Sequence, residues 1–129
     1  MSQKIDDCPF CSIEAGRIVD EREAAFVTWD KYPVSAGHAL IVPKRHIGSW
    51  FATNTSEHRD LVELIGVAKA LVEQSHCPDG YNIGINDGAA AGQTIPHLHI
   101  HLIPRYRNDL PDPRGGVRWV LPGKAKYWP

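Results

Sequence analysis

Three histidines, His97, His99 and His101, alternate with aliphatic residues late in the chain. On a strand, successive side chains point to opposite faces, so the three imidazoles would share one face at intervals of about 6.5 Å. A neutral imidazole is a nucleophile, and it is also a good leaving group once it is bonded to phosphorus. The run therefore predicts a site for phosphoryl or nucleotidyl transfer, with metal ligation and a solvated polar face as the alternatives.

The segment that precedes the histidines, residues 86–94, has the sequence Asn-Asp-Gly-Ala-Ala-Ala-Gly-Gln-Thr. Small side chains and backbone N–H groups allow a phosphate to approach the chain closely. Clusters of Gly and Ala on their own usually indicate only a turn. The prediction of a phosphate site therefore rests on the loop and the histidine run together.

Cys8 and Cys11 form a Cys-Pro-Phe-Cys sequence near the N-terminus. This is the spacing of a zinc knuckle, which needs two further ligands from elsewhere in the chain. A redox pair of the thioredoxin type would follow a strand and begin a helix, and no strand is predicted before Cys8. The pair is thus interpreted as two metal ligands or two free thiols, and Cys77 as an unpaired cysteine.

Hydrophobic patterns predict the elements that must position these residues. Residues 24–29 and 38–43 are β-rich runs that flank a segment containing Pro, Ser and Gly, which predicts a hairpin. Apolar residues recur at helical spacing over residues 56–76, which predicts one long helix with Ser56 as its N-cap.

Further strands are predicted at residues 81–86 and 97–103, where apolar and polar side chains alternate. Residues 117–120 are the candidate for a fifth strand, and a short helix is expected around residues 11–15. These elements predict an α+β fold with an antiparallel sheet of about five strands packed against the long helix.

The bulk composition is that of an ordinary globular protein, with 129 residues, 43% hydrophobic and 22% charged. It predicts one domain over residues 1–129 and excludes the signature of disorder. A net charge of −1 gives no global reason to expect binding to long nucleic acids. No stretch is apolar enough to cross a membrane, and residues 1–7 lack the apolar core of a signal peptide, so we expect a cytoplasmic protein.

The chain resembles the histidine-triad (HIT) superfamily, whose motif His-φ-His-φ-His-φ-φ is matched by residues 97–103. The resemblance continues through residues 92–94 and 104–105 and through Asp30 and residues 37–47. It covers roughly residues 8–106 and leaves residues 107–129 as a tail. It implies a HIT-like fold with an antiparallel sheet and a long helix, which agrees with the elements above, and a homodimer.

The resemblance also implies a role for each site residue. His99 would attack the α-phosphorus and form a nucleotidyl-histidine that water then hydrolyses, while His101 and Gln93 would stabilise or protonate the leaving group. His38 matches a position close to the nucleophile, although a purely structural place in its strand is equally compatible. The remaining implied substrate contacts are Asp30 at the ribose hydroxyls, and Asn86, Gly92, Gln93, Thr94 and His101 around the phosphate.

Bacterial proteins that this sequence is similar to bind zinc through such a cysteine pair and two histidines. The resemblance implies that the ligands here are Cys8, Cys11, His46 and His97. Four protein ligands close a zinc site, so the role would be structural. A histidine nucleophile needs no metal, although magnesium can accompany a polyphosphate substrate.

The residues after the histidine run favour one branch of the superfamily. Pro104-Arg105 resembles the dinucleoside polyphosphate hydrolases, whereas Gly-Gly-Arg is common in the phosphoramidate hydrolases. The expected substrate is thus a purine nucleotide such as diadenosine tetraphosphate. Four arginines, Arg105, Arg107, Arg114 and Arg118, either reach a longer phosphate chain or form a solvated basic tail. A phosphoramidate hydrolase and a nucleotide-binding sensor or interaction module are the alternatives.

Overall fold

The computed structural model describes residues 7–129. Five strands form one antiparallel sheet in the spatial order β1-β2-β3-β5-β4. The strands are β1 (Asp20–Glu21), β2 (Ala25–Trp29), β3 (Ala39–Pro43), β4 (Gly80–Gly84) and β5 (Ile100–Arg105). The predicted α+β class, the β2–β3 hairpin and the number of strands are confirmed.

The long helix α1 (Thr55–Glu73) packs across one face of this sheet. Its buried apolar side chains, among them Leu61 and Leu64, lie at helical spacing and meet the aliphatic side chains of β2, β3 and β5. The helix begins at a capping box in which Asn54 accepts from the backbone of Glu57 and the Glu57 carboxylate accepts from the backbone of Asn54. The predicted N-cap at Ser56 was therefore wrong, because Asn54 satisfies the first free N–H groups one residue before the helix starts.

Side chains of strand β5 point alternately to the core and to the opposite face of the sheet. Ile100, Leu102 and Pro104 are buried toward the helix, whereas His101 and Ile103 are half-buried on the opposite face. This alternation places polar chemistry on the face of the sheet that α1 leaves uncovered.

Three predicted elements differ in the structure. The fifth strand is Asp20–Glu21, which pairs with β2, and residues 116–120 form a 3-10 helix instead. The short helix expected around residues 11–15 is only a 3-10 turn at Ala15–Arg17. Regular pairing of the histidine strand starts only at Ile100, opposite Ile41, whereas His97 contacts Cys8 and the backbone of Leu98 donates to the carbonyl of Ile47.

The tail after β5 folds back on itself. A short helix, α2 (Pro122–Ala125), packs against the 3-10 helix of residues 116–120, and the Arg114 guanidinium lies 4.5 Å from the centre of the Trp128 ring. No helix among residues 7–129 is long and apolar enough to cross a membrane.

Candidate active site

His99 and His101 lie side by side, with ring centroids 5.0 Å apart, at the wall of a cavity of about 530 Å³. His101 projects from β5, and His99 lies immediately before the first residue of that strand. Most residues that the sequence predicted around the substrate also line this cavity, namely Asp30, His38, Asn86, Gly92 and Thr94. The fold thus brings together residues from four separate parts of the chain.

A backbone contact sets the protonation of the His99 ring. His99 Nδ1 lies 2.9 Å from the carbonyl oxygen of His97. A carbonyl can only accept, so Nδ1 carries the proton in the neutral ring and Nε2 keeps its lone pair. His99 is therefore prepared to act as a nucleophile through Nε2.

His101 has the opposite arrangement of its ring nitrogens. The backbone N–H of Val34 donates to His38 Nδ1 at 3.1 Å, so the proton of the neutral His38 ring is on Nε2. That Nε2 lies 2.9 Å from His101 Nδ1 and 3.3 Å from Asp30 Oδ2. His101 accepts at Nδ1 and so carries its own proton on Nε2, where it can donate to a bound ligand.

Burial keeps these two rings neutral. Desolvation, with smaller contributions from His99 and His38, lowers the pKa of His101 to about 4, and Asp30 opposes the shift only in part. Desolvation also lowers the pKa of His38. At neutral pH His101 and His38 are therefore uncharged, which suits hydrogen-bond donation from His101 Nε2.

The depressed pKa of His101 predicts acid sensitivity of the fold. The unfolded chain takes up a proton at His101 below about pH 6.5, and the folded protein does so only near pH 4. This contribution to the free energy of unfolding is complete above pH 6.5 and is lost as the pH falls toward 4. Between pH 7 and pH 5 the free energy of unfolding should fall by about 2 kcal/mol less in His101→Asn than in the wild type, as measured by urea unfolding. Equal losses in the two proteins would contradict the prediction.

A second group of side chains lies beside the histidine site. Cys8, Cys11, His46 and His97 present four ligand atoms that all lie within 4.8 Å of one another. His97 Nδ1 is 3.3 Å from Cys8 Sγ and 3.2 Å from His46 Nδ1, and Cys11 Sγ is 3.2 Å from His46 Nδ1. We call these four residues the Cys2His2 cluster.

The geometry of the Cys2His2 cluster fits zinc. A tetrahedral ion with Zn–S of about 2.3 Å and Zn–N of about 2.1 Å holds its ligand atoms roughly 3.4–3.7 Å apart. His97 Nε2 donates to the carbonyl of Pro43 at 2.8 Å, which leaves Nδ1 unprotonated and directed at the other three ligands. His97 is fully buried, and its imidazole belongs to this cluster because it contacts Cys8 and His46. It does not line the cavity around His99.

Comparison with known proteins identifies the family of this chain. A model of the HIT domain matches residues 14–108. The chain belongs to the HIT family. A HIT-like protein of 16.1 kDa from Mycoplasma pneumoniae, described as uncharacterized, is 37% identical over 110 residues, which cover 81% of this chain and 76% of that protein.

Two further relatives bear on the site. Bis(5'-nucleosyl)-tetraphosphatase (asymmetrical) from Schizosaccharomyces pombe is 38% identical over 87 residues, which cover 67% of this chain and 47% of that protein. The crystal structure of a zinc-bound histidine triad family protein from Mycobacterium smegmatis superposes with a TM-score of 0.70 at 33% identity. That match covers 82% of this chain and 84% of the other.

The side chain of Gln93, which was expected to contact the phosphate, does not line the cavity around His99. Its Oε1 accepts from the backbone N–H of Gly88 at 2.8 Å, and its Nε2 donates to the carbonyls of Gly48 and Ile95 at 2.9 and 3.1 Å. The side chain lines a neighbouring cavity and not the one around His99. The amide thus fastens the 86–94 loop to the Gly48 turn, and its catalytic role stays a prediction.

Gly92 makes the same loop possible through its backbone. Its φ of 95° lies in the left-handed region that disfavours a side chain, and it ends the 3-10 turn of residues 89–91. The turn brings the Gly92 and Thr94 backbone to the wall of the His99 cavity. A Cβ at Gly92 would strain this conformation even though no neighbouring atom blocks it.

The four arginines at the end of β5 and in the tail are engaged with nearby carboxylates, an amide and backbone carbonyls. Arg105 pairs with Asp109 and donates to Asn82, Arg107 lies 3.7 Å from Asp79, and Arg114 pairs with Asp112. Arg118 donates to the backbone carbonyls of Ala125 and Lys124. These contacts agree better with the solvated basic tail than with a site for a long phosphate chain, and they also fasten the tail to the rest of the chain.

Phe10 is a residue of the site that the sequence did not predict. It lies between the two cysteines of the knuckle in sequence, and its ring contacts both His97 and His99, with centroid distances of 5.5 and 5.2 Å. It also lines the cavity around His99. Its place between two metal-ligand cysteines was the signal that could have drawn attention to it.

Proposed function

We propose that this HIT protein hydrolyses dinucleoside polyphosphates, such as diadenosine tetraphosphate, at the α-phosphorus through a nucleotidyl-His99 intermediate. The observation that carries the proposal is the hydrogen bond from His99 Nδ1 to the His97 carbonyl, which leaves Nε2 as the nucleophile at the cavity wall. The similarity to the S. pombe tetraphosphatase supports this choice of leaving group.

In the proposed reaction each cavity residue has a different role. Asp30 would accept from the ribose hydroxyls, and the backbone of Gly92 and Thr94 would approach the phosphate, since all three residues line the cavity. His99 Nε2 attacks the α-phosphorus, a P–N bond forms, and the bond to the departing phosphate oxygen breaks. The polyphosphate leaves as an anion, so His101 need only donate a hydrogen bond to the departing oxygen.

Water completes the cycle in the second step. Its oxygen bonds to the phosphorus, the P–N bond breaks, and the electron pair returns to His99 Nε2. The proton released from the water passes to solvent. Because both steps exchange the same His99 lone pair, the ring ends in the state in which it began.

We further propose that the Cys2His2 cluster binds zinc. The ligand distances, the hydrogen bond from His97 to Pro43 and the similarity to the zinc-bound M. smegmatis protein support this. When bound, zinc would cross-link the knuckle of Cys8 and Cys11 to His46 and His97, with no position left open for chemistry. A magnesium ion on the substrate stays a prediction.

A homodimer also stays a prediction, and two surfaces support it. Strand β4 is at the edge of the described sheet and presents unpaired backbone groups. The side chains of Ile83 on β4 and Val62 on α1 are each 49% exposed. We propose that a second copy of the chain adds its own β4 to this edge.

A second candidate function is hydrolysis of nucleoside phosphoramidates, and the tail favours it. A groove of about 430 Å³ adjoins the His99 cavity at His101 and His38, and its walls include the aliphatic side chains of Val117, Val120 and Ile103. The nearby tail arginines are paired as described above. A leaving group that enters this groove would meet aliphatic side chains rather than cations, which suits an apolar amine better than a polyphosphate.

Hydrolysis in water enriched in oxygen-18 tests the proposal. With diadenosine tetraphosphate, attack at the α-phosphorus of the nucleotide in the cavity must place the label in the AMP product, because AMP receives the oxygen of water. Mass spectrometry of the products should find the label in AMP and none in ATP. Label in ATP would contradict attack at the α-phosphorus. A kcat/KM at least tenfold higher for an adenosine phosphoramidate of an apolar amine would favour the second candidate function.

A further inference from the structure

Phe10 stands between the Cys2His2 cluster and the nucleotide cavity. Two metal-ligand candidates flank Phe10 in the chain, Cys8 two residues before it and Cys11 immediately after it. Its ring is 8% exposed and packs against His97 on the cluster side and His99 on the cavity side. A change in the position of the knuckle would therefore move the wall of the cavity beside the nucleophile.

His97 makes a second link between the same two sites. Its ring belongs to the cluster, and its backbone carbonyl accepts the proton of His99 Nδ1. The next residue, Leu98, donates from its backbone to the carbonyl of Ile47, which follows the ligand candidate His46. The backbone next to His99 is thus tied to the cluster in two ways, through His97 itself and through the hydrogen bond from Leu98 to Ile47.

We propose that Phe10 is a positioning residue through which metal binding at the Cys2His2 cluster and nucleotide binding in the cavity strengthen each other. The proposal rests on the proposed function, since it requires both a nucleotide and a zinc site. A metal that fixes the knuckle fixes the Phe10 ring, and a nucleotide that packs against this wall favours the metal-bound arrangement. Such coupling is reciprocal, so each ligand raises the affinity of the other by the same factor.

Isothermal titration with AMP measures the coupling factor directly. We expect AMP to bind the zinc-loaded protein about tenfold more tightly than the protein stripped of zinc by a chelator, within the usual range for coupled sites. Circular dichroism checks that the stripped protein is folded. A second measurement avoids stripping, because saturating AMP should slow the transfer of zinc from the wild-type protein to a chromogenic chelator by a similar factor.

Phe10→Ala isolates the link because it leaves all four ligands in place. This variant should retain zinc, as measured by plasma mass spectrometry, while AMP at a concentration that saturates the variant slows zinc transfer less than it does in the wild type. Val34→Ala is the matched control, since Val34 lines the same cavity but is 70% exposed and lies outside the cluster. It can weaken AMP binding, but the effect of AMP on zinc transfer should persist.

Three results would overturn the proposal. Equal AMP affinity with and without zinc, together with zinc transfer that AMP does not slow, would show two independent sites although the nucleotide function stands. Wild-type coupling in Phe10→Ala would remove Phe10 from the link. Failure of AMP to bind the zinc-loaded protein at all would instead refute the proposed function, and the inference with it.

Discussion

His99→Asn is expected to reduce kcat/KM for diadenosine tetraphosphate by about 10⁴-fold or more, because the lone pair that attacks phosphorus is lost. Asparagine is the informative replacement, since its side-chain amide can still donate to the His97 carbonyl in place of His99 Nδ1. The fold and the cluster should therefore be retained. Chromatographic separation of AMP and ATP gives the rate, and zinc content and circular dichroism check the structure.

His58→Asn is the control for this experiment. His58 lies on α1 with its ring 4.5 Å from that of Trp50, outside the cavity around His99. Its replacement should leave the rate within twofold of the wild type. A His99→Asn protein that retains more than a tenth of the wild-type rate would show that water attacks the phosphorus without a covalent intermediate. If the wild type binds nucleotide tightly and hydrolyses neither substrate, the interpretation as a binding module is favoured instead.

Cys11→Ser is expected to have the largest effect on stability. Structural zinc in small domains contributes on the order of 10 kcal/mol of binding free energy at neutral pH, part of which is folding free energy. A serine hydroxyl is a poor zinc ligand, so the variant should lose most of its zinc and at least about 3 kcal/mol of the free energy of unfolding. Chelation of zinc from the wild type should produce the same loss, measured by urea unfolding.

Cys77→Ser separates zinc loss from the general effect of removing a thiol. Cys77 is exposed and lies outside the cluster. Its replacement should change the free energy of unfolding by no more than about 0.5 kcal/mol, as is usual at a surface position. Wild-type protein that contains no zinc, with Cys11→Ser and Cys77→Ser equally stable, would exclude the structural metal.

Much of the fold was predictable because its signals are local. The apolar period of α1 and the β-rich runs of β2 and β3 each occupy a short stretch of chain, where side-chain alternation reports which face is buried. The same alternation predicted that His97, His99 and His101 share one face. Leu98, Ile100 and Leu102 do lie in the core and His99 and His101 do line the cavity, but His97 is buried in the Cys2His2 cluster. Errors arose where the signal was only two residues long, as at β1, or where two caps competed, as at Asn54 and Ser56.

The chemistry of the individual histidines was decided by tertiary structure. The spacing of the run indicated three equivalent imidazoles, yet His97 turns into the Cys2His2 cluster through a contact with Cys8 that is 89 residues distant in the chain. His99 receives its tautomer from a carbonyl, and the pKa of His101 is lowered by burial beside His38. The amino-acid sequence by itself determined which groups are available and which strand carries them. Only the folded chain decided which nitrogen of each ring carries the proton and which ring is buried, because burial and hydrogen-bond partners come from residues far apart in sequence.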